Sequence, residues 1–192
     1  MAKFKICENC GGNIDHGEKC DCAERDKPTG WNALACEIHE NAVAHGWWEG
    51  DRYFAEIIAL FHSELSEALE EYRNGRGNLY FEEQKPAGIT VELADCVIRI
   101  LDYCGRHRFD VDEAMKKIQA VNEAYALPPL VTECHYFLAQ VYRGDSKMLN
   151  LARCIALIKF WCAKNGVDLE EIIRLKHEYN KKRPYRHGEK AC

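Results

Sequence analysis

Between Arg52 and Arg73, apolar residues recur at 54, 57, 58, 61, 65, 68, 69 and 72. That i, i+3, i+4, i+7 spacing is the stripe of a helix with one buried face. Gly75 and Gly77 end the run. The same kind of pattern predicts a helix over Trp31–His45, stopped by Gly46. It predicts another over Thr90–His107, after a polar loop that runs to Gly88. Asp110-x-x-Glu113 is a capping box that opens a fourth helix to about Tyr125. Pro128 and Pro129 break the chain, and Leu130–Tyr142 resumes the helical pattern. No segment alternates with a period of two over a convincing length, so the pattern predicts an all-α bundle.

The pattern also partly repeats. A shift of 58 residues lays 92–122 on 150–180, with eight identities in 31 positions. They are Leu93/Leu151, Ala94/Ala152, Cys96/Cys154, Ile100/Ile158, Cys104/Cys162, Asp110/Asp168, Glu113/Glu171 and Asn122/Asn180. The rival explanation is coincidence between two amphipathic helices. The matched caps, cysteines and asparagines favour an internal duplication. It divides the chain into 28–126 and a degenerate second repeat, 127–192. In the second repeat, Asn150 stands at the place of Glu92 and Arg153 at that of Asp95. Glu133 matches Glu64, but Tyr136 falls at Glu67.

The 192 residues are 47% hydrophobic with a formal net charge of −5, which suits a globular chain and excludes a nucleic-acid polycation overall. The charge is uneven. Lys/Arg residues stand at 174, 176, 181, 182, 183, 186 and 190, against Glu178 and Glu189. Such a run suits nucleic acid, another chain or a polyphosphate. No stretch approaches the roughly 20 apolar residues that span a bilayer, and the first residues carry no apolar signal core.

Four of the 11 cysteines form Cys7-x2-Cys10-x9-Cys20-x-Cys22, with glycines between the pairs. This spacing predicts a closed, structural Cys₄ Zn²⁺ ribbon over residues 1–27. Metal would supply the stability that so short a segment lacks. His16 is the alternative ligand. Cys36, Cys96, Cys104, Cys134, Cys154 and Cys162 fall in helical patterns, where a free thiol behaves as a small buried hydrophobe. The expected setting is a reducing cytoplasm.

Two acidic doublets carry the candidate chemistry. Glu64 and Glu67 are three apart on one helix, as are Glu92 and Asp95 on the next, so each pair shares a face. Four converging carboxylates repel unless cations sit among them, and hard oxygen ligands suit Mg²⁺. Alone, each doublet is more often a solvated helix face.

Glu64-x-x-Glu67, 24 residues, then Glu92-x-x-Asp95 resembles the MazG-like family of all-α nucleoside triphosphate pyrophosphohydrolases, in a subgroup common in phages and prophages. The segments that carry the resemblance are HSELSEALEEYR (62–73), KPAGITVELADCVIRILDYCG (85–105) and KHEYNKKRPYRHGEK (176–190). Ala87 departs from the pattern, standing where an acid is expected. The resemblance implies a bundle whose four acids bind two or more Mg²⁺ and hydrolyse a nucleoside triphosphate to the monophosphate and pyrophosphate. Either Glu67 or Glu64 would be the general base, and Glu71 an outer ligand or a solvated charge. It also implies a bacterial or phage-infected cytoplasm.

Substrate contacts are expected from Lys176, Asn180, Arg183 and Arg186, which only the second repeat carries as a basic face, and from Lys85 in the loop before the third helix. Trp47 or Trp48 would stack on a base. His62 would be a base contact or a packed core histidine. Arg99 would balance the acids or pair with Asp102. The alternatives are a catalytically idle adaptor whose ribbon meets nucleic acid or protein, and a dUTP- or dCTP-type diphosphatase of the same superfamily. Base preference and homodimerisation stay open.

Overall fold

The computed structural model describes residues 5–6, 13–14, 30–118 and 126–189, and the fold is all-α apart from two short strand pairs. The first pair joins β1 (Lys5–Ile6) to β2 (Asn13–Ile14), antiparallel. Cys7, Cys10, Cys20 and Cys22 lie outside the described residues, as do His16 and Asn122.

Helices α1 (Gly30–Ala44), α2 (Phe54–Arg73) and α3 (Ile89–His107) follow, within two residues of the limits the pattern predicts. The polar loop between α2 and α3 is a correction. It holds a hairpin of β3 (Tyr80–Glu82) and β4 (Lys85–Ala87), in register Tyr80↔Ala87 and Glu82↔Lys85. Strands of three residues are too short for alternation to show in the sequence. The tyrosine hydroxyl of Tyr80 donates to Glu71 Oε2 at 2.9 Å, pinning the hairpin to α2 and leaving Glu71 in a bracing role. Gly88 then turns the chain into α3 at φ 116°, where a Cβ would lie 2.7 Å from the carbonyl oxygens of Gly77 and Asn78.

Asp110 caps α4 (Val111–Lys116) by accepting from Glu113 N at 2.9 Å. Residues 119–125, over which this helix is expected to continue, lie outside the description. The starts of α1 and α4 cap each other. Asp112 accepts from the amides of Trp31 and Asn32, both at 3.0 Å, and Asn32 Oδ1 accepts from Val111 N at 2.8 Å.

The second half opens with α5 (Leu127–Arg143). Pro128 and Pro129 sit in its first turn instead of breaking the chain, since amides there need no intrahelical acceptor. It continues through α6 (Lys147–Lys164), α7 (Leu169–Asn180), capped by Asp168, and α8 (Arg186–Glu189). The packing is reciprocal: α2 lies on α3 and α5 on α6, α2 meets α5, α7 packs on α3, and α4 packs on α6. A single core runs through both halves, from Phe61, Leu65 and Ile100 to Leu138, Ile155 and Ile158. Of the helical cysteines, Cys36 is exposed, against expectation, while Cys96, Cys104, Cys134, Cys154 and Cys162 are buried. No helix among the described residues is long and apolar enough to cross a membrane.

Where α2 meets α5, His62 and His135 stack with ring centroids 4.9 Å apart and Nδ1 atoms 2.6 Å apart. His62 is thus a packing residue. Only one of the two nitrogens can donate, so the pair tolerates at most one charge. Burial lowers the pKa of both below the usual 6.5, and in His135 the neighbouring ring adds to this.

Two outcomes are expected. Leu65→Ala or Leu138→Ala, each emptying a fully buried position, should cost about 2–5 kcal/mol of unfolding free energy in urea titrations. Since the histidine pKa values are depressed in the folded state, their contribution is intact above pH 6.5 and lost as pH falls below it. The double variant His62→Gln/His135→Gln should therefore show a flatter melting temperature between pH 7 and 5 than the parent; an unchanged slope would remove the pair from the acid response.

Candidate metal and phosphate site

Glu64 and Glu67 stand on successive turns of α2, and Glu92 and Asp95 on the first two turns of α3. Packing of α2 on α3 turns all four into one cavity of about 360 Å³. One carboxylate oxygen each from Glu64, Glu67 and Glu92 lie within 4.8 Å of one another. Opposite ligands across a Mg²⁺ ion are roughly 4.2 Å apart, so small rotamer adjustments would close the three around one ion. The hard donor set fits Mg²⁺ or Mn²⁺. Asp95 stands apart from this trio. Its Oδ2 meets Lys176 Nζ at 2.6 Å.

The opposite wall is basic and comes mainly from the second half. Lys176 and His177 on α7 are buried, at 4% and 3% exposure, although they belong to the most basic stretch of the chain. Asn180 follows one turn on. Arg183 lines the same cavity half-buried, with no carboxylate partner for its guanidinium among the described residues. Lys85, exposed on β4, completes this wall. Two buried polar atoms here have no hydrogen-bond partner among the described residues: His177 Nε2, 3.4 Å from Glu37 Oε1, and Asn180 Oδ1.

The segment after α7 is held in place by the end of α1. His45 Nε2 lies 3.1 Å from the Arg183 carbonyl, and Arg186 N donates to the His45 carbonyl at 3.1 Å. The Tyr185 hydroxyl donates to Glu49. Arg186 is used up here, with Nε on the Gly46 carbonyl at 3.2 Å and Nη2 on that of Glu49. It braces the segment and does not reach the cavity, contrary to the phosphate contact expected of it.

The two tryptophans separate. Trp47 lines the cavity. Trp48 does not line it; its Nε1 donates to Asp102 at 2.8 Å, and the guanidinium groups of Arg52 and Arg106 lie 5.5 and 5.3 Å from its ring centroid. Asp102 also holds His39 Nδ1 at 2.7 Å. With Asp102 so occupied, Arg99 turns to the acids, and its Nε meets Glu64 Oε1 at 2.5 Å. The remaining sequence-based candidates, Glu64, Glu67, Glu92, Asp95, Lys85, Trp47, Lys176, Asn180 and Arg183, all line the one cavity. His177 and Asn41 line it as well and are not evident from the sequence, although His177 shares a helix face with Asn180 at i, i+3.

Burial pushes the carboxyl of Glu64 up to about 7, against the opposing pull of Arg99. Burial, together with the charge of Asp95, pushes Glu92 up to about 7 as well, while Lys176 pulls it down. The place of Glu92 in the first turn of α3 offsets part of this cost through the helix dipole. Burial lowers the pKa of Arg183. Comparison of the chain with protein-family models, curated proteins and solved structures finds no match.

Glu64 and Glu92 keep protons in the fold well above the usual 4.5. Their contribution to stability is full below pH 4.5 and is lost as pH rises through about 7. A divalent cation needs the ionised form, so it competes with those protons. Mg²⁺ should therefore raise the melting temperature more at pH 8 than at pH 6, and Glu64→Gln should reduce the gain. Equal gains at both pH values would show that these two groups are not displaced by the metal.

Proposed function

We propose that the chain is a Mg²⁺-dependent nucleoside triphosphate pyrophosphohydrolase that releases a nucleoside monophosphate and pyrophosphate. The observation that carries this reading is one cavity with three converging carboxylates on one wall and, on the other, a half-buried Arg183 without an ion pair among the described residues. Acids alone would suit any divalent cation. Such an arginine facing them calls for an anion that arrives with the cation, and a metal-complexed polyphosphate is such a ligand. The motif resemblance to the MazG-like enzymes points the same way, in a bacterial or phage-infected cytoplasm.

In this reading Glu64, Glu67 and Glu92 hold the metal. Mg²⁺ bound there supplies charge neutralisation, in-line alignment and a lower pKa for the attacking water. Arg183 takes phosphate oxygens in a fork, and Lys85 approaches them from the hairpin. Trp47 lines the same cavity and would meet the base there. Glu67 accepts the proton of the water that attacks the α-phosphorus, and pyrophosphate leaves. Glu67 suits this better than Glu64 because Arg99 occupies one oxygen of Glu64, whereas Glu67 is exposed and has no ion pair among the described residues.

The reciprocal packing of α2, α3 and α4 with α5, α6 and α7 supports the reading of an internal duplication. In the second repeat Arg153 donates to Asn150 at 2.9 Å and lies over Phe137, so the places of Glu92 and Asp95 are filled without a metal. The acids then come from the first repeat and Lys176 and Arg183 from the second, with Lys85 and Arg99 of the first repeat beside them, giving one composite site per chain.

The idle-adaptor reading draws on Arg99 and Lys176, which already neutralise two of the four acids. Pyrophosphate release from a panel of canonical and modified nucleoside triphosphates, dUTP and dCTP included, separates the readings. Activity should require Mg²⁺, fall at least 100-fold in Glu67→Ala, and show a raised KM in Arg183→Ala. Silence across the whole panel would favour the adaptor.

A further inference from the structure

The four carboxylates already have two resident cations, Arg99 on Glu64 and Lys176 on Asp95. With all four carboxylates ionised, as a bound metal requires, these leave two negative charges, which a single divalent ion neutralises. The geometry divides the same way: Glu64, Glu67 and Glu92 converge, and Asp95 is turned to Lys176. The wall that carries Lys176 also holds Asn180 Oδ1, a buried oxygen with no hydrogen-bond partner among the described residues, an independent sign that a ligand belongs on this side.

We propose that Lys176 is a placeholder cation. Without nucleotide, the site takes one divalent ion, on Glu64, Glu67 and Glu92. Lys176 keeps the second seat, at Asp95, filled. A nucleoside triphosphate brings its own divalent cation and its negative phosphates together. That cation takes Asp95, and the displaced ammonium turns to the phosphate oxygens. The exchange keeps two cations from sharing one carboxylate, since an ammonium and a divalent ion on Asp95 would repel. It also delays assembly of the two-ion site until substrate is present. The proposal rests on the metal-site reading above and names Lys176 as a positioning residue for it.

The test is Mn²⁺ titration of the full, zinc-loaded chain without nucleotide, with free Mn²⁺ counted by electron paramagnetic resonance. The parent should bind one ion. Lys176→Met should bind two, the total affinity tightening at least about fivefold, while Lys176→Arg should stay at one. Circular dichroism melts establish that each variant is folded. Should Lys176→Met not fold, the lysine Nζ resonance of the parent, assigned by its loss in Lys176→Arg, decides. It should hold still with Mg²⁺ alone and move when a non-hydrolysable nucleoside triphosphate is added. Two ions on the nucleotide-free parent, an unchanged folded Lys176→Met, or a resonance that moves with Mg²⁺ alone would overturn the placeholder while leaving the metal site standing. A parent that binds no Mn²⁺, with or without nucleotide, would remove the metal site itself.

Discussion

The arrangement depends on buried negative charge being matched by positive charge from elsewhere in the chain. Glu64 is 5% exposed, and Glu92 is nearly as deep. Carboxylates in such surroundings protonate, pair or bind metal, because desolvating an unpaired ion costs several kcal/mol. Here all three responses are in play. Glu64 and Glu92 hold protons to about pH 7, Arg99 and Lys176 pair, and the convergence of Glu64, Glu67 and Glu92 leaves room for a cation.

That match ties the two halves together. Lys176 reaches Asp95 only because α7 packs on α3, and α7 is aimed by the short turn after α6 and the Asp168 cap. Arg183 reaches the cavity because the following segment is held against the end of α1 by His45, Tyr185 and Arg186. The hairpin is placed in the same way, with Tyr80 on Glu71 and Gly88 turning the chain into α3, so Lys85 faces the acids. On the other side of α3, Gly105 lets α1 approach until a Cβ would sit 2.5 Å from the Ala35 carbonyl oxygen. Each support is local and cheap, and together they hold charged groups in one place.

The apolar stripe of α2 is buried at Ile57, Ile58, Phe61, Leu65 and Ala68, while Tyr72 at its end is exposed, because helical periodicity reports which face is buried. Glu64 and Glu67 beside Glu92 and Asp95 were legible for the same reason: i, i+3 spacing on adjacent amphipathic helices sets a shared face. The misreadings have separate origins. Pro128 and Pro129 read as a break, yet a first turn accommodates them equally well. The β3–β4 hairpin is too short to show a period. Cys36 resembles its buried counterparts in spacing, but α1 turns it outward.

Periodicity identifies the face a residue occupies and says nothing of the partner that face will meet. The sequence by itself determined the helices, the two acidic pairs and the basic character of the end of the chain. Only the tertiary structure decided that Asp95 faces Lys176 and not the other acids, that Arg99 takes Glu64 because Asp102 is held by His39 and Trp48, that Trp47 faces the cavity while Trp48 does not, and that Arg186 braces the backbone. Those choices follow from competition among several neighbours for each charge, and the neighbours come from helices far apart in the chain.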